Sequence, residues 1–249
     1  MFQPHLKIDK IEPYVLLPGD PGRIDKIIPL LTNVQEINFN REFRICNGEY
    51  KGIRLSLVST GIGCPAAAIT IEELSQIGAK IIIRIGTCGG LLPEMQSGDI
   101  IIPTAAVCAD GTTREYNPSI VTIAADDKIN QALKLNAQKT NVRFFLGVNR
   151  THDAFYEPTS NFVKLAGQRL ISSEMECSAV FLVSQLRNLK AGAILVVNTP
   201  EPPEEVMKNP EIIYRLADVE KVKNGMNQAI YIALETIRSL SLSDKNALD

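Results

Sequence analysis

Residues that would build a metal centre or a disulfide framework are scarce in this sequence. It has only two histidines, and its five cysteines form no C-x-x-C pair, so neither a zinc site nor a full set of disulfides is expected. The net charge of −2 gives no electrostatic reason to bind nucleic acid or an anionic membrane. The chain has no run of about 18 or more apolar residues, and its first residues lack the apolar stretch of a signal peptide. We therefore expect a cytoplasmic protein without a transmembrane helix.

What the sequence does contain is an alternation of strand-like and helix-like segments. With 249 residues, of which 45% are hydrophobic, the chain is long enough to bury a sizeable core. Apolar patterns predict strands at 14–17, 53–59, 80–85, 100–107, 143–148 and 193–198, and helices at 23–31, 66–77, 127–139, 174–189 and 219–240. Continuous apolar strands separated by helices are typical of a sheet covered on both faces. We expect a single domain, residues 1–249, with a three-layer α/β/α fold and a mixed central sheet.

The segment from Gly19 to Arg23, G-D-P-G-R, follows the first predicted strand and opens a predicted helix. Glycines let the backbone approach an anion, a helix N-terminus offers free N–H groups, and Arg23 adds a positive charge. The same kind of turn also begins helices that bind nothing, so both interpretations remain open.

A second segment, R-I-G-T-C-G-G from Arg84 to Gly90, ends a run that resembles a central buried strand. A buried arginine needs a partner, because burying an unpaired charge is costly. The carboxyl end of such a strand is where open α/β folds bind ligands, and Thr87 adds a hydroxyl there. Arg84 could instead pair with a carboxylate of the core. Two Arg/Gly loops at strand ends favour an oxyanion such as phosphate.

Acidic and aromatic pairs supply further candidates. Glu174 and Glu176 begin a predicted helix, where the helix dipole alone would favour them, but a carboxylate also suits the vicinal hydroxyls of a ribose. Phe155 and Tyr156 are either core aromatics or part of a binding surface. His152 is interpreted as structural or peripheral.

Six short motifs occur in order along nearly the whole chain: Gly19 to Arg23, Asn40 to Phe43 (N-R-E-F), Ser59 to Gly63 (S-T-G-I-G), Arg84 to Thr87 (R-I-G-T), Asp153 to Tyr156 and Glu174 to Glu176. In this order and spacing the chain resembles the nucleoside phosphorylase family, which includes uridine phosphorylase, hexameric purine nucleoside phosphorylase and methylthioadenosine phosphorylase. The resemblance is closest to uridine phosphorylase.

The resemblance implies a role for each motif. The phosphate-binding residues would be Gly19, Arg23, Arg41, Arg84 and Thr87. The ribose-binding residues would be His5, Glu174, Met175 and Glu176, and the base-binding residues Phe155, Tyr156, Asn198 and Thr199. Arg41 and His5 would come from a neighbouring subunit, which implies a homo-oligomer, by resemblance a hexamer built as a trimer of dimers.

The implied reaction is phosphorolysis by a pentosyltransferase of nucleoside salvage. Phosphate attacks C1′ as the base leaves, and Arg84 and Glu176 are the candidate catalytic residues. Stabilisation of a positively charged ribose by the bound phosphate requires positioning and electrostatics, without a covalent enzyme intermediate. Phosphate is a co-substrate, and no cofactor or metal is expected. A monovalent cation known in the family is not assigned, because a serine associated with it is Ala66 here.

The base is less clearly specified than the sugar and phosphate. Thr199 stands where purine-specific relatives carry an aspartic acid, and a threonine cannot act as that acid. The uracil-reading Gln-x-Arg element is also missing from residues 157–161, although Gln168 or Arg169 could substitute. We expect uridine as substrate, with a purine nucleoside or methylthioadenosine as the alternative if Glu201 or Glu204 supplies a displaced acid. A nucleoside-binding subunit without catalytic activity is a further alternative.

Overall fold

A computed structural model describes residues 3–156, 169–209, 211 and 217–246, with side chains as far as 243. The strands in these ranges are β1 (Tyr14–Pro18), β2 (Thr32–Asn40), β3 (Phe43–Tyr50), β4 (Ile53–Val58), β5 (Ile81–Gly90), β6 (Ile100–Ala109), β7 (Thr122–Ala124), β8 (Phe144–His152), β9 (Leu170–Glu174) and β10 (Lys190–Pro200). The α-helices are α1 (Ile24–Ile27), α2 (Cys64–Gln76), α3 (Gly111–Tyr116), α4 (Asp127–Gln138), α5 (Cys177–Leu186), α6 (Pro203–Lys208) and α7 (Val219–Asn246).

All ten strands belong to one mixed sheet. Strand β1 pairs in parallel with β4 and β5, while β2, β3 and β4 form an antiparallel meander at one edge. The other half runs β5-β9-β8-β6-β10, and β10 also pairs with β5. This half of the sheet therefore closes on itself. The predicted α/β fold with a mixed central sheet is confirmed, whereas the closure was not predicted.

Apolar side chains fill both faces of the sheet, because neighbouring side chains on a strand point to opposite sides. On β5, Ile82 packs with the buried residues of α2 and α5, including Ile71 and Phe181. Its neighbours Ile81, Ile83 and Ile85 pack on the opposite face with α4 and α7, including Leu133 and Leu234. Two helical layers and the sheet between them give the three expected layers.

Two helix predictions need correction. The helix predicted at 23–31 is three short pieces: a 3₁₀ turn at Pro21–Arg23, α1, and a second 3₁₀ turn at Ile28–Leu30. Pro29 lacks the N–H that would continue an α-helix. The helix predicted at 174–189 begins only at Cys177, and Glu174 instead ends strand β9.

Neighbouring strands of the sheet end at different heights, since β5 extends five residues beyond the end of β1. Pro18, the last residue of β1, lies opposite Ile85, and β5 continues to Gly90 beside β10. The start of α5 follows the end of β9 directly, so the ends of β1, β5, β9 and β10 border one region of the molecule. Among the described residues, no helix combines the length and hydropathy that a membrane span requires.

Close packing of α7 on the sheet generates a stability prediction. A Cβ placed on Gly225 of α7 would overlap the carbonyl oxygen of Gly98 and come within 2.9 Å of Val196 Cγ1. Gly225→Ala should therefore lower the free energy of unfolding by about 1–3 kcal/mol, although alanine is the better helix former. Urea denaturation measures the change. Asn227→Ala, at an exposed position of the same helix, is the control, and equal stability of the two variants would contradict the predicted overlap.

Candidate active site

A cavity of about 890 Å³ opens where these strand ends meet. The predicted site residues that line it are Gly19, Arg23, Arg84, Thr87, Phe155, Tyr156, Glu174, Met175, Glu176, Asn198 and Thr199. Two predicted residues, His5 and Arg41, lie elsewhere. Segments far apart in the sequence are thus brought into one cleft.

Arg84 lies at the centre of the cleft and is only 3% exposed. Its Nη2 is 3.0 Å from Glu174 Oε2 and also contacts Glu176 Oε2, and its Nε donates to Glu174 Oε2 at 3.2 Å. Burial disfavours the charge, but the two carboxylates raise the pKa of Arg84 above its ordinary value. Arg84 therefore has carboxylate partners, and they are the two predicted glutamates.

Glu174 is held from several sides. Its carboxylate accepts hydrogen bonds from Asn149 Nδ2 at 2.8 Å and Thr151 Oγ1 at 2.7 Å. It also accepts from the backbone N–H groups of Glu176 at 2.8 Å and Cys177 at 3.0 Å, although Glu174 ends β9 and does not lie in the first turn of the helix as predicted. Burial opposes ionisation, yet Arg84 and these donors hold the pKa of Glu174 below its ordinary value.

Glu176 has fewer partners than Glu174. Its Oε1 accepts a hydrogen bond from the backbone N–H of Gly63 at 2.6 Å, and its Oε2 contacts Arg84. Its side chain does not cap α5. Burial raises the pKa of Glu176, Arg84 opposes this effect, and the nearby Glu174 carboxylate adds to it. The cleft thus presents Glu176 as a carboxylate whose charge the surroundings only partly satisfy.

The Ser59–Gly63 segment joins three parts of the cleft. Its backbone N–H groups at Thr60 and Gly61 donate to the carbonyl oxygens of Pro18 and Gly19, at 3.1 and 2.8 Å. Gly61 and Gly63 have φ of +75° and +94°, in the left-handed region that favours glycine. This conformation directs the Gly63 N–H at Glu176, so the motif positions the carboxylate relative to the Gly19 loop.

Arg23 brings a second guanidinium into the cavity near Arg84. Arg23 Nη1 donates to the Ile85 carbonyl oxygen at 2.9 Å, and burial, together with the charge of Arg84, lowers the pKa of Arg23. A Cβ placed on Gly19 would lie 3.8 Å from Arg84 Nη1, so the absent side chain leaves room on this side of the guanidinium. The α-helix after Arg23 has only four residues, so the arginines, rather than the predicted free N–H groups of a helix N-terminus, are the candidate groups for an anion.

Aromatic and polar side chains also line the cavity. Phe155 and Tyr156 are 72% and 79% exposed and contact each other edge to face, 5.1 Å between ring centroids, so the core-aromatic alternative is wrong. Asn198 is an extra residue in a bulge of β10 opposite β5 and is exposed in the cleft. Thr199 follows and is buried.

Two residues that line the cavity, His152 and Glu201, are not among the site residues expected from the sequence, although Glu201 is one of the alternative acids. His152, interpreted from the sequence as structural or peripheral, lines the cavity at the end of β8. Glu201 also lines it, whereas Glu204 is exposed in the first turn of α6 and does not. Of the two candidate displaced acids, only Glu201 is in the cleft. Residues 157–161 and Gln168 lie outside the described residues.

Arg41 and His5 are placed away from the cavity of their own chain. Arg41 is exposed in the two-residue turn between β2 and β3, with φ of +57°, uncommon for a side chain other than glycine. His5 Nδ1 lies 2.7 Å from Glu73 Oε1, and the Leu6 N–H donates to the other oxygen of Glu73. Both therefore remain candidates for a neighbouring site.

A group of possible metal ligands lies outside the cavity. Ligand-type atoms of Cys64, Asp110 and Asp153 lie within 4.8 Å of one another. Asp110 already caps α3, Asp153 accepts a hydrogen bond from the Gly111 N–H, and burial raises the pKa of the Cys64 thiol. These interactions account for the cluster without a metal.

Comparison with known proteins identifies the family. Residues 13–229 match the model of the phosphorylase superfamily. The chain is 33% identical over 247 residues to the guanosine phosphorylase of Halorubrum lacusprofundi, covering 96% of this chain and 99% of the relative. It is 37% identical over 224 residues to the uridine phosphorylase of Thermococcus kodakarensis, covering 84% and 81%. The crystal structure of uridine phosphorylase from Vibrio fischeri ES114 has a TM-score of 0.85 and 31% identity, covering 95% and 97%.

The chain belongs to the phosphorylase superfamily. The predicted resemblance to nucleoside phosphorylases is confirmed, and with it the class of enzyme, a pentosyltransferase.

The different environments of the two glutamates predict unequal losses of stability for the same substitution. Glu174→Gln should cost about 3 kcal/mol of stability, because an amide cannot accept all the hydrogen bonds that converge there. Glu176→Gln should cost less, about 1 kcal/mol, because an amide oxygen can still accept from the Gly63 N–H and Glu174 continues to pair with Arg84. Urea denaturation at pH 7 measures both.

The pH dependence of the free energy of unfolding provides a second test of the role of Glu174. A lowered pKa means that ionised Glu174 contributes stability above the pKa of the unfolded chain, and this contribution is lost as the pH falls through the folded value. The difference in free energy of unfolding between the parent and Glu174→Gln should therefore become smaller below about pH 4. A larger stability loss for Glu176→Gln than for Glu174→Gln would contradict this assignment.

Proposed function

We propose that the protein catalyses the phosphorolysis of a nucleoside to a free base and ribose 1-phosphate. The observation that carries this proposal is the arrangement around Arg84. One side of its guanidinium faces the Gly19 loop near Arg23, and the other contacts the Glu176 carboxylate. An anion and a sugar diol bound to these groups would be neighbours, as attack of phosphate on C1′ requires.

In the proposed mechanism, Arg23, Arg84 and Thr87 bind phosphate, and Glu176 accepts hydrogen bonds from the 2′- and 3′-hydroxyls, with Met175 against the sugar. Positive charge that develops on the ribose as the base leaves is stabilised by the phosphate held beside it. Glu174 positions Arg84 rather than contacting the ribose, because its oxygens are occupied by other donors. Phosphate replaces the base at C1′ without net oxidation or reduction, so the proposed reaction uses no redox cofactor.

For the base, uridine and a purine are both candidates, and each has a specific observation in its favour. Thr199 lines the cavity where an aspartic acid would protonate a purine, which favours uridine. Glu201 brings a carboxylate into the same cavity, which favours the purine alternative. Phe155 and Tyr156 offer a stacking surface to either base.

We also propose a cytoplasmic homo-oligomer, by resemblance a hexamer. Exposed Arg41 on the β2–β3 turn is available to a neighbouring chain. The five cysteines are free and buried, as is usual where thiols remain reduced.

The assignment of Arg84 is tested with phosphate-dependent base release from guanosine, inosine, adenosine and uridine, read by chromatography. Arg84→Ala should lower turnover by about 10³-fold, because it removes charge stabilisation from the transition state. Arg84→Lys, which keeps a charge beside the glutamates, provides a second variant if the first folds poorly. Arg54→Ala changes an exposed arginine outside the cavity and is the control. A folded Arg84 variant with near-normal turnover at saturating phosphate would refute the role.

The oligomer proposal predicts complementation between inactive subunits. Arg41→Ala damages the site of the neighbour, while Glu176→Ala damages the site of its own chain. Mixed hexamers would contain some sites with both residues intact, so mixing the two inactive variants under subunit exchange should restore part of the activity. A protein that is a monomer by light scattering and is nevertheless fully active would contradict the proposal.

A further inference from the structure

Glu73 is a buried carboxylate that has no part in the mechanism proposed above. It lies on α2, away from the described lining of the cleft, and is only 5% exposed. Its Oε1 is 2.7 Å from His5 Nδ1 and accepts from the His5 backbone N–H at 3.3 Å, while its Oε2 accepts from the Leu6 N–H at 2.7 Å. Burying a carboxylate is costly unless it is hydrogen-bonded. The donors that compensate Glu73 come from one short segment, residues 5 and 6.

The carbonyl groups of the same segment are held by strand β2. Asn40 Nδ2 donates to the His5 carbonyl oxygen at 2.8 Å, and Asn38 Nδ2 donates to that of Leu6 at 2.9 Å. The Leu6 side chain is fully buried. Asn40 is the last residue of β2 and directly precedes Arg41. The backbone of His5 is therefore tied to the turn that carries Arg41, and the two residues are held as one unit.

Two contacts orient the ring of His5. The ring meets Phe43, the first residue of β3, edge to face, with 5.5 Å between ring centroids. Its Nδ1 faces Glu73, and because a carboxylate offers only acceptors, Nδ1 carries a proton. In the neutral imidazole the other nitrogen, Nε2, is then a hydrogen-bond acceptor. Since the His5 side chain is 22% exposed, the unit offers a neighbour an acceptor for a hydroxyl at His5 and a cation for an anion at Arg41.

We infer that Glu73 is a positioning residue for the active site of a neighbouring subunit: it orients His5 beside Arg41 so that Nε2 accepts a hydrogen bond from the 5′-hydroxyl of the ribose bound there. The inference rests on the proposed phosphorolysis and the proposed homo-oligomer. Glu176 is assigned to the 2′- and 3′-hydroxyls, which leaves the 5′-hydroxyl as the remaining hydroxyl of the sugar. A carboxylate on one ring nitrogen fixes the tautomer and the direction of a histidine, as it does behind histidines that bind metals.

The test compares kcat/KM for inosine and uridine with kcat/KM for their 5′-deoxy counterparts. In the parent, the 5′-hydroxyl should raise kcat/KM by roughly 10-fold, as expected for one hydrogen bond. Glu73→Ala releases the His5 segment, so the ratio should fall to within about two-fold of one, as in His5→Ala. If Glu73→Ala folds poorly, Glu73→Gln keeps the shape of the side chain but turns one acceptor into a donor, and it should lower the ratio by about three-fold or more.

Glu72→Ala is the matched control. Glu72 is the preceding residue of α2 and pairs with Arg187 instead of the His5 segment. This variant should keep the parental ratio. A general loss of stability lowers kcat/KM for both members of each substrate pair and leaves their ratio unchanged, so the ratio reports positioning of His5 and not the amount of folded protein.

Subunit mixing tests whether Glu73 acts across the interface. Glu73→Ala subunits are mixed, under subunit exchange, with an excess of inactive Glu176→Ala subunits. All activity then comes from sites of the Glu73→Ala chains, because only these chains retain Glu176. Their neighbours supply His5 beside an intact Glu73, so the ratio should return to the parental value.

Three outcomes overturn the inference: a parental ratio within about two-fold of one, an unchanged ratio in the folded Glu73 variant, and a ratio that stays low after mixing. Calorimetric binding of inosine and 5′-deoxyinosine separates this inference from the proposed function. If phosphate releases no base from any nucleoside, phosphorolysis is wrong, whereas a 5′-hydroxyl preference in binding that depends on Glu73 still supports the positioning role. Equal binding of the two nucleosides to the parent refutes it.

Discussion

The contact of buried Arg84 with Glu174 and Glu176 is the interaction on which the site depends. A guanidinium removed from water requires compensating charge, and two carboxylates supply it. The two glutamates are not equivalent. The carboxylate of Glu174 already accepts hydrogen bonds from Asn149, Thr151 and the backbone N–H groups of Glu176 and Cys177. Glu174 therefore fixes the arginine, and Glu176 is left with a contact that a bound sugar could replace. A stability requirement and the proposed binding of the sugar are thus assigned to residues two positions apart.

The fold brings these groups together through its strand ends. Strand β5 carries Arg84 and Thr87 and ends at Gly89 and Gly90 beside β10, so one strand contributes several lining residues to the cleft. The backbone bonds from Ser59–Gly63 to the Gly19 loop and to Glu176 tie the remaining segments to it. The closed half of the sheet contributes lining residues to the cleft, among them Thr87 of β5, His152 of β8, Ser173 of β9 and Asn198 of β10.

Much of this could be predicted from the sequence, and the reasons for the remainder are physical. Apolar strands such as β5 and β10 were predicted because both of their faces are buried. Strand β2 was not, since most of its residues are exposed, and β9 was not, since it is short and ends in Ser-Ser-Glu. The motifs identified the residues around Arg84, but not that both glutamates pair with it. Glu201 was predicted only as one of two alternative acids, because it lies in a proline-rich segment without a pattern of its own, and its side chain lies against a glycine more than a hundred residues earlier.

A crystal structure of the protein with bound phosphate tests the central claim most directly. The account predicts that the anion contacts Arg23 and Arg84 beside Gly19, that Arg84 keeps its contact with Glu174, and that the Glu176 carboxylate faces the space next to the anion. Phosphate bound elsewhere in the cavity, with Arg84 still enclosed by both glutamates and out of reach of the anion, would contradict it.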